Sequence, residues 1–208
     1  FVVLNITQED IQKSGGWPFP RQELAQIHVD ILNAGAMGVG WVVSLPNPDR
    51  FGGDEMFLVA LDYSPSILAM FEYDNGKYPP TSGTVLLGDN ISGIMAKGVV
   101  QNDPIFTNVP QGLSTAPTEI DNLVRRMPLL METPDGFVAS FGTEVLKVLA
   151  GAKTYIIKGD DNGMRQITVQ GLPPVDVDSL GRKWISWVDT PQTDLQELNV
   201  AHKFVFVS

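Results

Sequence analysis

The chain of 208 residues has no cysteine, which removes disulfides, thiol catalysis and thiolate metal sites together while leaving the compartment open. It has only two histidines, His28 and His202, and no G-x-S-x-G turn, so a nucleophile dependent on an imidazole base has little to work with. No histidine pair gives zinc spacing, and "DDNG" (160–163) lacks the alternating ligands and distal Glu of a calcium loop. No metal site is expected. Neither G-x-G-x-x-G nor a Walker pattern occurs, so no nucleotide cofactor is expected either. Positive charge is scarce: 14 Lys and Arg against 24 Asp and Glu leave a net charge of -10. The largest basic cluster is Arg125-Arg126, which argues against nucleic acid as a partner. No apolar run approaches the ~20 residues of a membrane helix, and none has the form of a signal peptide. The chain nonetheless opens on the strand-like "FVVLNI" without an initiator Met, and is read as an excised segment.

What is present describes a globular protein. Hydrophobic residues make up 43% and charged residues 18%, enough to bury a full core in one domain over 1–208. "FVVLNI" (1–6), "MGVGWVVSL" (37–45) and "SILAMFEY" (66–73) are apolar runs without strict alternation, as strands buried on both faces require. Between them lie a helix with Leu24, Ile27, Ile31 and Leu32 on one face, stopped by Gly35, and a shorter one over 53–61. Strands alternating with helices predict an α/β layered domain with a largely parallel central sheet flanked by helices. Antiparallel hairpins add to it: two strands around Pro134-Asp135-Gly136, two around Asn162-Gly163, and further strands at "GRKWISWV" and "HKFVFVS". A helix carries Phe141, Val145, Val148 and Leu149 on one stripe before Gly151. Residues 74–93 and 101–122, rich in Pro, Gly, Asn and Asp, are expected to be long loops.

Few side chains invite a functional reading. His28 falls on the apolar side of the first helix, where a core histidine with one hydrogen-bonded nitrogen is the expected state; His202 belongs at an edge or surface. Asp176 and Asp178, two apart on an extended segment, are expected to be solvated edge charge. Strand alternation sends Arg125 and Arg126 to opposite faces, with Asp121 within reach of one of them. Two sequons occur, at Asn5 and Asn90, and Asn5 sits at the end of an expected buried strand, so that match is read as chance. In "GGWPFPR" (15–21), Pro20 at the first helical position is preset for the helix and Pro18 holds the residue before it extended. Trp17 is then expected to pack on the sheet or a pocket rim, and Arg21 to anchor a loop carboxylate or carbonyl. A pocket in an open parallel sheet belongs beyond the strand C-terminal ends, among the loops after 6, 45 and 73.

"WPFPRQELAQIHVDILNAGAMGVGWVVSLPNPDR" resembles the opening of the type-two CHASE domain, the extracytoplasmic sensor of bacterial adenylate or guanylate cyclases, histidine kinases and related receptors. Gly15 or Gly16, Trp17, Pro18, Pro20 and Arg21 match that family's G-x-W-P-W-P-R, with Phe19 for its second Trp. Ala34-Gly35-Ala36, Val39-Gly40-Trp41 and Pro48-Asp49 continue the match. "IDNLVRRMPLL" is similar to the family's D-x-x-G-x-x-R-R-x-P-L through Asp121, Arg125, Arg126, Pro128 and Leu129. Asn5 and Thr7 stand where the family has an acidic pair, and Val42 where it has an Asp. The resemblance implies a periplasmic or extracellular sensory domain without enzymatic activity of its own. It is expected to detect a small-molecule or protein stimulus and to relay a conformational change through its own transmembrane helices to a cytoplasmic output domain, with a homodimer among its expected partners. Trp17, Arg21, Trp41 and Arg125 are the candidate ligand-binding residues; Trp17, Pro18, Pro20, Arg21, Gly35, Arg126 and Pro128 form the structural motif. Two other readings stay open: a non-catalytic dimerisation or interaction module, and an α/β hydrolase-like enzyme.

Overall fold

A computed structural model describes all residues, 1–208. In chain order its elements are β1 (Val2–Leu4), α1 (Gln8–Lys13), α2 (Arg21–Asn33), β2 (Gly38–Trp41), α3 (Asp54–Asp62), β3 (Ser66–Lys77), β4 (Thr84–Leu87), β5 (Val99–Val100), β6 (Gln111–Ser114), β7 (Arg126–Pro128), β8 (Leu130–Thr133), β9 (Gly136–Ala139), α4 (Phe141–Leu149), β10 (Tyr155–Asp160), β11 (Gly163–Val169), β12 (Val175–Asp176), β13 (Arg182–Trp184), β14 (Gln192–Thr193) and β15 (Phe204–Val207). They fall into two compact units: residues 1–69, 102–110 and 188–208 form the first, residues 70–101 and 111–187 the second.

The first unit is the parallel layer the sequence predicts. Its strands run in the order β14-β1-β15-β2-β3, every pairing parallel. The last strand of the chain, β15, lies between β1 and β2, with Val205 opposite both Val2 and Val39. Helix α2 buries Leu24, Ala25, His28 and Ile31, four residues at helical spacing. Gly35, at φ +89°, ends it where an L side chain would be strained. Trp41, Phe57 and Phe106 form a buried edge-to-face chain, with ring centres 5.2 and 5.9 Å apart. The sequence reading missed α1, a two-turn helix opened by a capping box in which Thr7 and Asp10 bond reciprocally. The Thr7-x-x-Asp10 spacing was its signal.

The second unit holds the antiparallel additions. Its largest sheet runs β12-β11-β10-β4, antiparallel except that β4 lies parallel to β10. β8 and β9 close the hairpin at Pro134-Asp135, and β7 pairs with β13. The expected loops at 74–93 and 101–122 are loops in large part, but β3 continues to Lys77, and β4, a 3-10 turn at Pro104–Phe106 and β6 lie within them. Short strands of this kind draw their stability from pairing, which composition does not record. No helix is long and apolar enough to cross a membrane.

Candidate functional site

The corner that attracts attention in the sequence is built around Asp49. Pro20 is the N-cap of α2, one place earlier than predicted, with ψ at 139°, and Arg21 is the first helical residue. Asp49 Oδ2 accepts from the Arg21 amide at 2.9 Å and from the Gly53 amide at 3.1 Å, while its Oδ1 accepts from Phe51. Burial alone would raise the Asp49 carboxyl; those backbone donors outweigh it, together with the Arg21 charge, and hold it below the ordinary range. The amide of Asp49 in turn donates to Asp54 Oδ2 at 2.6 Å. The Arg21 guanidinium is buried beside this knot, its Nε 3.4 Å from Asp54 Oδ1 and an Nη 3.4 Å from the Asn47 carbonyl. A Cβ on Gly53 would lie 2.6 Å from the Gln22 nitrogen, so only glycine lets the α3 entry approach α2 this closely. Arg21 therefore meets loop carboxylates and a carbonyl, as a structural anchor.

Against this corner, α2 and α3 leave a groove of about 710 Å³, within the size range of small-molecule sites. Pro20 and Phe51 form its end, exposed Met56, Val59 and Tyr63 of α3 form one wall, and Gln22 and Gln26 of α2 supply amides on the other. Nothing in the sequence periodicity announced it, because three of the apolar residues involved lie on the solvent side of α3.

The second unit has a charged site. Arg125 grips Asp121 with two bonds of 2.9 and 2.6 Å; Arg126 reaches Glu119 at 2.8 Å and Asp178 at 2.9 Å; Arg182 also bonds Asp178, at 2.8 Å. These arginines and the 118–121 segment line a shallow recess of about 500 Å³. Bonds from Arg126 and Arg125 hold the carboxyls of Glu119 and Asp121 below their ordinary range. Asp178, expected as solvated charge, is the hub that joins two arginines. With each guanidinium already on a carboxylate, the recess offers no free cation to an anion.

The four candidate ligand residues do not converge. Trp41 is fully buried in the first core, so it is not available to a ligand. Trp17 does not pack on the sheet: it is 52% exposed, its ring 5.6 Å from Phe19, and it lines a shallow recess with Ile11 and Gln12. Phe19, at 2% exposure, is the aromatic that docks the corner, since the backbone turn points it inward. Arg21 is an internal anchor and Arg125 a surface ion pair. Of the motif residues, Arg126 and Pro128 lie on β7, with Pro128 paired to Arg182.

His28 is wholly buried, and burial pushes its pKa down to about 4. Trp41 Nε1 donates to His28 Nδ1 at 3.1 Å, so the neutral ring carries its proton on Nε2, facing Ser64 Oγ at 3.4 Å. That nitrogen has no lone pair with which to take a proton from Ser64, so His28 is not a base toward it. No group of three or more His, Asp or Glu is placed to hold a metal ion. Structure and sites together define an α/β domain with a parallel-sheet unit, a groove and internal polar anchors.

The CHASE2 domain family model matches residues 1–206, and the chain belongs to that family. CHASE2 domains are extracytoplasmic sensor domains of receptors, so this region is sensory. No curated protein and no solved structure matched the chain.

Proposed function

We propose that this sensor domain belongs to a transmembrane receptor of the cyclase or histidine-kinase type and reads a small, largely apolar molecule in the α2–α3 groove. The observation that carries the ligand assignment is the coincidence, in one groove of about 710 Å³, of exposed Phe51, Met56, Val59 and Tyr63 with the amides of Gln22 and Gln26. The one charged residue of the lining, Glu23, accepts from the Ser14 hydroxyl, so a neutral ligand with one hydrogen-bonding head suits that groove. Helix α2 offers the route inward, because His28 on its buried face bonds Trp41, and Trp41 pairs in register with Val207 of the central strand β15. A ligand that favours one seating of α2 over another would shift the sheet's last strand, and through a C-terminal connection a membrane helix.

Thermal-shift screening of the purified domain against neutral metabolites tests the ligand assignment, because a specific ligand in excess stabilises the folded form. The expected result is a hit that raises the melting temperature of the wild type and not of Val59→Trp, whose indole fills the groove. A hit that stabilises Val59→Trp equally, or no hit among neutral compounds, overturns the groove as the input site.

A further inference from the structure

Sheet edges invite other strands, and the edges at β12 and β14 are guarded against them. β12 is two residues long, follows Pro173-Pro174, and its Asp176 takes bonds from Gln166 and Lys183. β14 is two residues long, follows Pro191, and Thr193 is tied to the Glu197 carbonyl. β4 is different. It is four residues long, and nothing from Tyr78 to Gly88 is charged. Val85, Leu86 and Leu87 are 45%, 51% and 46% exposed, three consecutive apolar residues on both faces of one strand. Leu86 stands level with Ile157 of β10, which is fully buried, so the apolar layer of this sheet stops one strand short.

The backbone of that edge is open as well. Tyr155 N–H donates to the Gly83 carbonyl, and the parallel pattern that follows turns Val85 and Leu87 toward β10. Thr84 and Leu86 therefore direct their N–H and C=O groups outward. The surrounding charges differ in net sign at the two ends, with Lys158 of β10, exposed and level with Leu87, offsetting one of the two acids at the C-terminal end. Lys153 is exposed at the N-terminal end of β4, where its carbonyl lies beside Gly83. Exposed Asp89 and Asp161 stand at the C-terminal end, where Asn90 bonds the Asp161 carbonyl. None of the three has an ion-pair partner within the chain.

We propose that β4 pairs antiparallel with β4 of a second copy, making one continuous eight-stranded sheet across a two-fold axis. The register that uses the open groups sets Val85 against Val85 of the partner subunit at the axis. Thr84 and Leu86 then each exchange both backbone bonds with the other residue of the pair across the interface, and Val85, whose own bonds face β10, forms the close non-bonded pair. Antiparallel pairing also brings the Lys153 end of each copy to the Asp89 and Asp161 end of the other. That complementarity is what selects a second copy: a chain of net charge -10 repels itself elsewhere, while here the edge is uncharged and its flanks match.

The absence of native cysteine makes the test clean. Sedimentation of the wild-type domain at low salt is expected to show a species of twice the monomer mass that grows with concentration and weakens as salt rises. Leu86→Pro is expected to be monomeric and folded, because the N–H it removes is not bonded within the chain; Val85→Lys, which sets two like charges at the axis, provides a second disruption if the proline disturbs the strand. Oxidised Val85→Cys is expected to form a disulfide dimer, since a non-bonded antiparallel pair places Cα atoms roughly 4.5 Å apart, within disulfide reach. Asp176→Cys on the guarded edge is expected to stay unlinked. Lys153→Glu should lose the dimer and Lys153→Glu with Asp89→Lys regain it. A wild type that remains monomeric at high concentration, a dimer indifferent to Leu86→Pro and Val85→Lys, or equal crosslinking at positions 85 and 176 overturns the proposal.

Discussion

In the first unit Arg21, His28 and Asn102 are all more than nine-tenths buried, and each fixes one part of the backbone or core. Asn102 accepts from the Leu45 amide and donates to the Ala69 carbonyl; His28 receives Trp41; Arg21 stands against Asp54 and the 47–54 loop. In the second unit Arg125, Arg126 and Arg182 lie toward the surface, on carboxylates of Glu119, Asp121 and Asp178. Buried polar groups are costly to leave alone and specify one arrangement, whereas surface ion pairs are screened and worth little. The difference teaches where each unit keeps its definition: the first in several internal side chains spread through its core, the second in strand pairing, apolar packing and one buried cluster, in which Glu144 accepts from the Tyr155 hydroxyl at 2.7 Å and pairs with Lys147.

Breaking the first unit's interior has the largest expected effect. Trp41→Ala should cost about 4 kcal/mol, because it empties an aromatic site and leaves His28 without its donor; urea unfolding followed by hydrogen exchange should show the loss in first-unit amides. Acid comes next. His28 has a pKa near 4 when folded and an ordinary one near 6.5 when unfolded, so the unfolded chain binds the extra proton. The stability this gives is complete above about pH 6.5, declines as pH falls and is exhausted by about pH 4, a change on the order of 3 kcal/mol. His28→Gln, whose amide oxygen still accepts from Trp41, should flatten that slope in the pH profile of the denaturation midpoint.

The surface ion pairs of the second unit should respond less. Asp178→Asn weakens bonds to two arginines at a partly exposed site, and an effect of about 1 kcal/mol, shrinking with added salt, is expected in chemical denaturation. Arg125→Ala is expected to leave the unfolding midpoint unchanged within error, because its pair with Asp121 is exposed. A large destabilisation by Arg125→Ala, or a small one by Trp41→Ala, would reverse the comparison.

Much of this was legible in advance, for identifiable reasons. The parallel layer showed in runs without alternation, α2 in the spacing of Leu24, Ile27, Ile31 and Leu32, and the pairing of Arg125 with Asp121 in a four-residue separation. The family showed in "WPFPR" and "RRMPL", where proline geometry constrains the backbone locally. Trp17, expected on the sheet or a pocket rim, was misplaced because the prolines aim the chain without deciding which aromatic turns inward. One turn of chain sends Phe19 inward and leaves Trp17 half exposed, and sheet register puts Trp41 beneath α2.

The sequence by itself determined the layer types, the ends of α2 near Pro20 and Gly35, the absence of thiol chemistry, and the family. These follow from local backbone preference and from which residue types are missing. Only the tertiary structure decided that Asp49 knots the motif corner, that α2 and α3 leave a groove, that Asp178 joins two arginines, and that β4 is an unguarded edge. Each depends on groups far apart in the chain meeting, or failing to meet, and such encounters are set by packing and strand order, not by neighbours in sequence.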